Sequence, residues 1–421
     1  MAKRKQRGTA GDKTICLPMA EGIDYAALVA DRSAYRQYLD EQIEQHPELF
    51  PVDIQQGYRF HGLVRSLRQQ LETRRIYLPS SHEAYQLRPD FVTPYMSETA
   101  DVAGKALYLK QHGISYEGIS YVLGRSEMHW VKLLQSLGRV SIVGSTVKRE
   151  ASLPPHLVAD EKHTRWLKQR TYLAVTAAQG CLFGNHLSLS ADNQGLKAAY
   201  GVFQQEAHDL DPDYQPMTVT TDGWDATRWA WEHLYSGIVW ILCFLHEVIK
   251  VRDGCRSKPD LCYGLLKELW HIYHAKTKRQ FAQRLRRFLE WVKLRDLPKP
   301  VKQRLLRLRN KSHFFQRAYD FPEAYRTSNQ VDRPMNYLDR ILYAMQGFHG
   351  TLQSAQKEVR AMALLWNFHP FCRKTRTLKE GCLCPFEQLN GFRYHDDWMR
   401  NLLIASSLNG RRPLSKLPHT N

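Results

Sequence analysis

The chain has 421 residues, room for two or three domains and at least one core of ordinary size, so its length excludes neither an enzyme nor a multidomain binder. Its hydrophobic fraction of 43% belongs to a globular protein; its longest apolar stretches, such as 237–245, are too short to cross a bilayer, and polar residues 8–13 stand where a signal peptide would carry its apolar region. A formal charge of +18 draws a protein to polyanions, nucleic acid before anionic membrane, and eight cysteines without disulfide-framework spacing suit a reducing cytosol, so a cytoplasmic, nucleoid-associated protein is expected.

Residues 1–95 form an N-terminal region of helical patterns mixed with basic and aromatic residues, such as Tyr58-Arg59-Phe60-His61 and Arg74-Arg75-Ile76, to which no motif is assigned. Within 96–140, apolar spacing predicts helices over 103–112, 115–123 and 126–137, broken at Gly113 and Gly124, with Ser126 able to cap the third. That is a helix-turn-helix outline, and the third helix would offer Glu127, His129 and Lys132 to the major groove. A purely structural three-helix unit is the alternative. Residues 141–155, with Gly144, Ser145, Pro154 and Pro155, read as a linker.

Strand patterns follow at 157–160, 171–178 and 181–189, the last two separated by Gln179-Gly180. A helix over 193–208, a strand 217–221, a helix 226–235 and a strand 238–244 come next. Three antiparallel strands and then strand–helix–strand suit an RNase H-like mixed sheet, among other mixed α/β folds. Residues 255–322 read as a helical insertion in a catalytic domain spanning 156–368, closed by a helix over 331–346 whose Pro334 lies in the first turn. Residues 369–421 are expected to be a C-terminal tail, disordered after Leu408. The fold class is therefore α/β plus all-α.

Asp160 closes the first strand pattern and Asp222 follows the β-branched run Val219-Thr220-Thr221, so both would project at strand ends, where open sheets carry their sites. Either alone could simply cap a turn. Candidates for a third acid after the insertion are Asp332 and Asp339 on the helix and Glu323 ahead of it. Cys243 and His246 are three apart and could share a helical face, as active-site support or as a buried thiol with a hydrogen-bonded ring. Cys372, Cys382 and Cys384, with His369 or His395, match no common zinc spacing. Trp224, Trp229 and Trp231 could stack on unpaired bases but suit a core as well. Residues 276–311 hold 14 Lys and Arg against two acids, too lopsided for salt-bridge patterning. Lys132, Arg284, Arg286, Arg287, Lys302, Arg304, Arg307 and Arg309 are the candidates for contact with DNA phosphates.

Thr220-Thr221-Asp222-Gly223 and Ile241-Leu242-Cys243-Phe244-Leu245-His246 resemble the second-acid strand and the following Cys-x-x-His of Mutator-like and related bacterial insertion-sequence transposases. Arg326-Thr327-Ser328-Asn329-Gln330-Val331-Asp332-Arg333 is similar to the family's third-acid segment. The resemblance covers about residues 156–350, with a weaker likeness reaching back through Tyr95-Met96. It implies a DDE/DDD transposase in which Asp160, Asp222 and Asp332 hold two Mg²⁺ (or Mn²⁺) ions, cutting double-stranded DNA at element ends and joining the 3′-hydroxyl to target DNA, as a homodimer or larger assembly. Other readings are a decayed transposase, a sequence-specific DNA-binding regulator, and an RNase H-like nuclease. The third acid of the family is commonly Glu. Asp is one methylene shorter, so its helix must lie closer to the metal.

Overall fold

The computed structural model describes residues 11–94, 96–148 and 152–411. Residues 11–94 build strand β1 (Thr14–Leu17), helices α1 (Tyr25–Ala30) and α2 (Arg32–Gln45), and strands β2 (Arg59–Ser66), β3 (Leu71–Leu78) and β4 (Glu83–Pro89). Asp24 and Asp31 each accept two backbone N–H groups, which starts the two helices. The strands form a mixed sheet in the order β1-β4-β3-β2, with β1 parallel to β4. No motif is legible here because β2 is exposed along most of its length, so no apolar alternation marks it.

Helices α3 (Ala100–Gln111), α4 (Tyr116–Leu123) and α5 (Glu127–Leu137) match the three expected helices closely. Gly113 and Gly124, both at positive φ, break them as anticipated. Ser126 stands at the N-cap of α5, but its hydroxyl makes no capping bond. The residues taken for a linker depart from expectation: α6 (Ile142–Thr146) is buried throughout, and a Cβ on Gly144 would lie 1.7 Å from the Gly410 carbonyl oxygen. Glycine and serine here serve a close helix approach.

The second sheet comprises β5 (His156–Trp166), β6 (Gln169–Ala178), β7 (Cys181–Ser188), β8 (Thr218–Thr221) and β9 (Val239–Leu242). Helix α7 (Asn193–Leu210) joins β7 to β8, α8 (Asp225–Leu234) joins β8 to β9, and α9 (Phe244–Gly254) leaves β9. The order is β7-β6-β5-β8-β9, antiparallel from β7 to β5 and parallel from β5 to β9. Alternate residues face opposite layers: Val158, Val175 and Leu187 join one core, while Leu157, Ala159 and Phe183 join another with Leu196, Phe203 and Trp231 of α7 and α8.

The expected insertion consists of α10 (Pro259–Tyr273), α11 (Lys278–Lys293), α12 (Lys299–Asn310) and α13 (Ser312–Gln316). Next come α14 (Asn329–Met345) and α15 (Leu352–Phe368), then α16 (Arg373–Leu378), α17 (Pro385–Asn390) and α18 (Trp398–Ala405). The last three overturn the expected tail for its described part: Met399, Leu402, Leu403 and Ile404 of α18 are fully buried. Order also continues past Leu408 to residue 411, and the remainder of the expected disorder lies outside the described residues. One core runs unbroken from β1 through α3, α4 and α5 to α14, α15 and α18.

Candidate active site

Strand β8 ends at Thr221, and Asp222 with Gly223 turns the chain toward α8. The turn is fastened by the Thr221 hydroxyl, which accepts from Gly223 N (3.2 Å) and Trp240 Nε1 (2.7 Å), and by Asp222 Oδ1, which accepts from Trp224 N (3.0 Å). Gly223 sits at φ +91°, and any Cβ there would come within 2.3 Å of Leu242. Val158 of β5 pairs with Thr220 of β8 in parallel register, so continuing each strand by two residues sets Asp160 beside Asp222. Asp160 is not at a strand end, as its sequence context suggested: β5 runs on to Trp166, paired along that stretch with β6 and bridged at its tip to Phe348. Its edge position arises because β8 stops.

Asp332 arrives from the first turn of α14. The start of that helix is tied to the end of β9: Ser328 N donates to Cys243 Sγ (3.2 Å), the Cys243 thiol lies 3.5 Å from the Ser328 hydroxyl, and Phe244 N donates to the Arg326 carbonyl (3.1 Å). Buried Cys243 thus acts as the clasp that holds the start of α14 against the end of β9. His246, in the first turn of α9, has a buried Nδ1 with no hydrogen-bond partner among the described residues.

The charges sense one another. Burial pushes the Asp160 carboxyl up to about 8, and the neighbouring Glu161, Asp222 and Asp332 push the same way. Burial raises Asp332, opposed by His246. Burial lowers His246, opposed by Asp222 and Asp332. Yet among the described residues no three His, Cys, Asp or Glu side chains are close enough to hold an ion as they stand. Coulombic influence reaches further than a coordination shell. The three acids are therefore within electrostatic reach of one another without forming a coordination shell.

Of the rival acids, Asp339 pairs with Lys162 at 2.6 Å, while Glu323 is exposed and its charge acts on His156, the first residue of β5. Sequence reasoning missed Glu161, which faces the layer opposite Asp160 and accepts from Tyr200 Oη (2.6 Å) and Thr227 Oγ1 (2.5 Å). Burial pushes its carboxyl up to about 7. Adjacency to Asp160 was the one available signal; its partners come from helices 39 and 66 residues away.

The basic candidates divide. Lys132, Arg286, Arg287, Lys302 and Arg309 are exposed. Arg284 donates to the His271 carbonyl (2.5 Å). Arg304 is not a surface residue: its side chain, 13% exposed, pairs at 2.6 Å with Glu247, which is 1% exposed. Arg307 turns inward and donates to the Gly223 carbonyl (3.2 Å), beside Asp222. On α5, Glu127 is exposed, whereas His129 is part-buried, 3.3 Å from Glu98. Trp231 is core, and Trp229 stacks on His233 at 3.8 Å. Cys372, Cys382 and Cys384 are free thiols, the first exposed and the last buried.

No family model matches the chain, and no curated protein matches it. Among the described residues, no helix is long and apolar enough to cross a membrane.

Proposed function

We propose that the chain is a metal-dependent DNA strand-cleaving and strand-transferring enzyme, a DDE/DDD transposase with an RNase H-like catalytic domain. The observation that carries this reading is the charge environment of Asp160, whose carboxyl is held near 8 by burial and by three acidic neighbours at the carboxyl edge of a mixed sheet. Such a site is poor at holding bare carboxylates and good at holding them around cations. The donor set is all carboxylate oxygen, which fits hard ions such as Mg²⁺ or Mn²⁺. Asp160, Asp222 and Asp332 would hold them.

When bound, two such ions activate the attacking oxygen and stabilise the leaving one. The chain's own contributions are more specific. The Asp222-Gly223 turn fixes one carboxylate, the Cys243–Ser328 clasp aims a second from α14, and Arg307 lies over the same turn to meet a strand phosphate. The exposed cations of α11 and α12 supply duplex backbone contact, and α3 to α5 supply end recognition as a helix-turn-helix with Lys132 facing out. Synapsis of two ends calls for a dimer or larger assembly on DNA.

The test is cleavage of end-bearing DNA with Mg²⁺ or Mn²⁺. Asp222→Ala and Asp332→Ala should each abolish cleavage while end binding persists, and a mutant that still cuts removes that residue from the site. Cleavage without joining of a 3′-hydroxyl to target DNA would leave a nuclease. Binding without metal-dependent cleavage in the unmutated protein would leave a regulator or decayed enzyme.

A further inference from the structure

A cavity of about 270 Å³, lined by none of the three acids, opens between the N-terminal sheet, α5 and the end of α18 with the residues that follow it. Arg68, Arg88 and Arg139 line it, and among the described lining residues there is no Asp or Glu. Arg88 is decisive. It lies on β4 opposite Cys16 of β1, it is 7% exposed, and its Nε and Nη1 find no hydrogen-bond partner among the described residues. The carboxylate two residues on, Asp90, is already taken by Arg400 (2.8 Å) and by Met19 N (3.2 Å). A buried guanidinium with idle N–H groups is costly unless something anionic meets it.

The rest of the lining is prepared rather than collapsed. Gln69 donates to the Thr93 carbonyl (2.7 Å) and Gln86 to the Thr73 hydroxyl (2.9 Å), which fixes both side chains at the wall. Met96, Leu137, Val140 and Leu403 give the cavity an apolar side. Its volume is just under the ~300 Å³ at which small-molecule pockets begin, enough for an anionic group with a modest apolar or ring appendage. Guanidinium forks match phosphate oxygens in pairs, and a phosphate monoester meets several donors at once.

We infer that this cavity is a binding site for a phosphate monoester, seated on Arg88 and flanked by Arg68 and Arg139. The monoester could be a free mononucleotide or the 5′-phosphate of a DNA strand end, and the chemistry recognised is the same. The site stands on geometry independent of the three acids, so it holds or fails separately from the transposase reading.

Calorimetric titration of the full chain with inorganic phosphate, with deoxyadenosine monophosphate, and with short single-stranded oligonucleotides carrying a 5′-phosphate or a 5′-hydroxyl tests it. Saturable binding of a phosphate-bearing probe is expected, weakened about tenfold in Arg88→Gln and severalfold in Arg139→Gln, as loss of a charge-assisted hydrogen bond implies. Tighter binding of the mononucleotide identifies a free ligand; a preference for the 5′-phosphorylated over the 5′-hydroxyl strand identifies a strand end. Arg139 is only part-buried, so its variant remains informative if Arg88→Gln fails to fold. No saturable binding by any phosphate-bearing probe, or affinity unchanged in a folded Arg88→Gln or Arg139→Gln, overturns the inference.

Discussion

Burial and acidic neighbours set the Asp160 carboxyl against stability once it ionises. Its carboxyl titrates near 8 in the folded chain against an ordinary value of 3.8. As pH rises, the unfolded chain therefore releases this proton first, so the contribution of Asp160 to stability is fullest below about pH 4, declines through pH 8, and is flat above. Asn keeps the Oδ1 that accepts from Glu161 N (2.9 Å) but cannot ionise. Asp160→Asn should consequently be more stable than the parent at pH 8.5 by on the order of 5 kcal/mol, with the gap closing by pH 4, while losing metal-dependent cleavage. Urea melts at several pH values measure this, and a stability difference independent of pH would refute the burial and like-charge account of the residue. Millimolar Mg²⁺ should narrow the gap at pH 8.5 by stabilising only the parent.

At the scale of elements, α12 shows how a charge run divides between two faces. Arg304 and Arg307 turn toward α9 and the Asp222 turn, whereas Lys302 and Arg309 turn to solvent. Removing Arg304 leaves Glu247 buried and uncompensated, so Arg304→Ala should cost about 3–5 kcal/mol, whereas the double change Glu247→Leu with Arg304→Met should recover most of it. Denaturant melts of the parent, both single mutants and the double mutant give the coupling; a loss below about 0.5 kcal/mol for Arg304→Ala would return it to the surface class. The sequence showed the lopsided charge but not this division, because a count is blind to which residues a neighbouring helix covers. Element positions were more legible. The strands and helices from 169 to 242 and α14 fall within a few residues of their apolar patterns, whereas β5 runs six residues past its pattern and α9 was not anticipated; the places of Asp222 after β8 and of Asp332 near the start of α14 were legible from their flanks. Glu161 was not, since its Tyr200 and Thr227 partners meet only in the folded layer. Nor was the first sheet, whose solvent-facing β2 carries no alternation to read.

For the whole molecule, the consequential discrepancy is the end of the chain. The cysteine- and glycine-punctuated residues 369–397 suggested a tail, yet they lead into α18, whose apolar face packs against β1, α3 and α15. Gly104 of α3 lies against this helix: a Cβ there would be 3.2 Å from Met399. Arg400 reaches back to Asp90 and the Met19 carbonyl, joining the last helix to the first sheet. The three-helix unit is equally entangled, with Leu133, Leu134 and Leu137 of α5 buried in the same core as Val359 and Met362 of α15. Folding of this half is therefore closed by sequence-distant contacts, and a chain ending at residue 395 would expose the surfaces that α18 covers. Such a truncation should lose the cooperative thermal transition and elute as aggregate in size-exclusion chromatography. A true tail could be removed without effect, so a monomeric truncation that melts like the full chain would show that α18 is dispensable to the core. Residues 96–140 excised alone should likewise show little helicity by circular dichroism, because three of their core leucines would then face water where α15 had been.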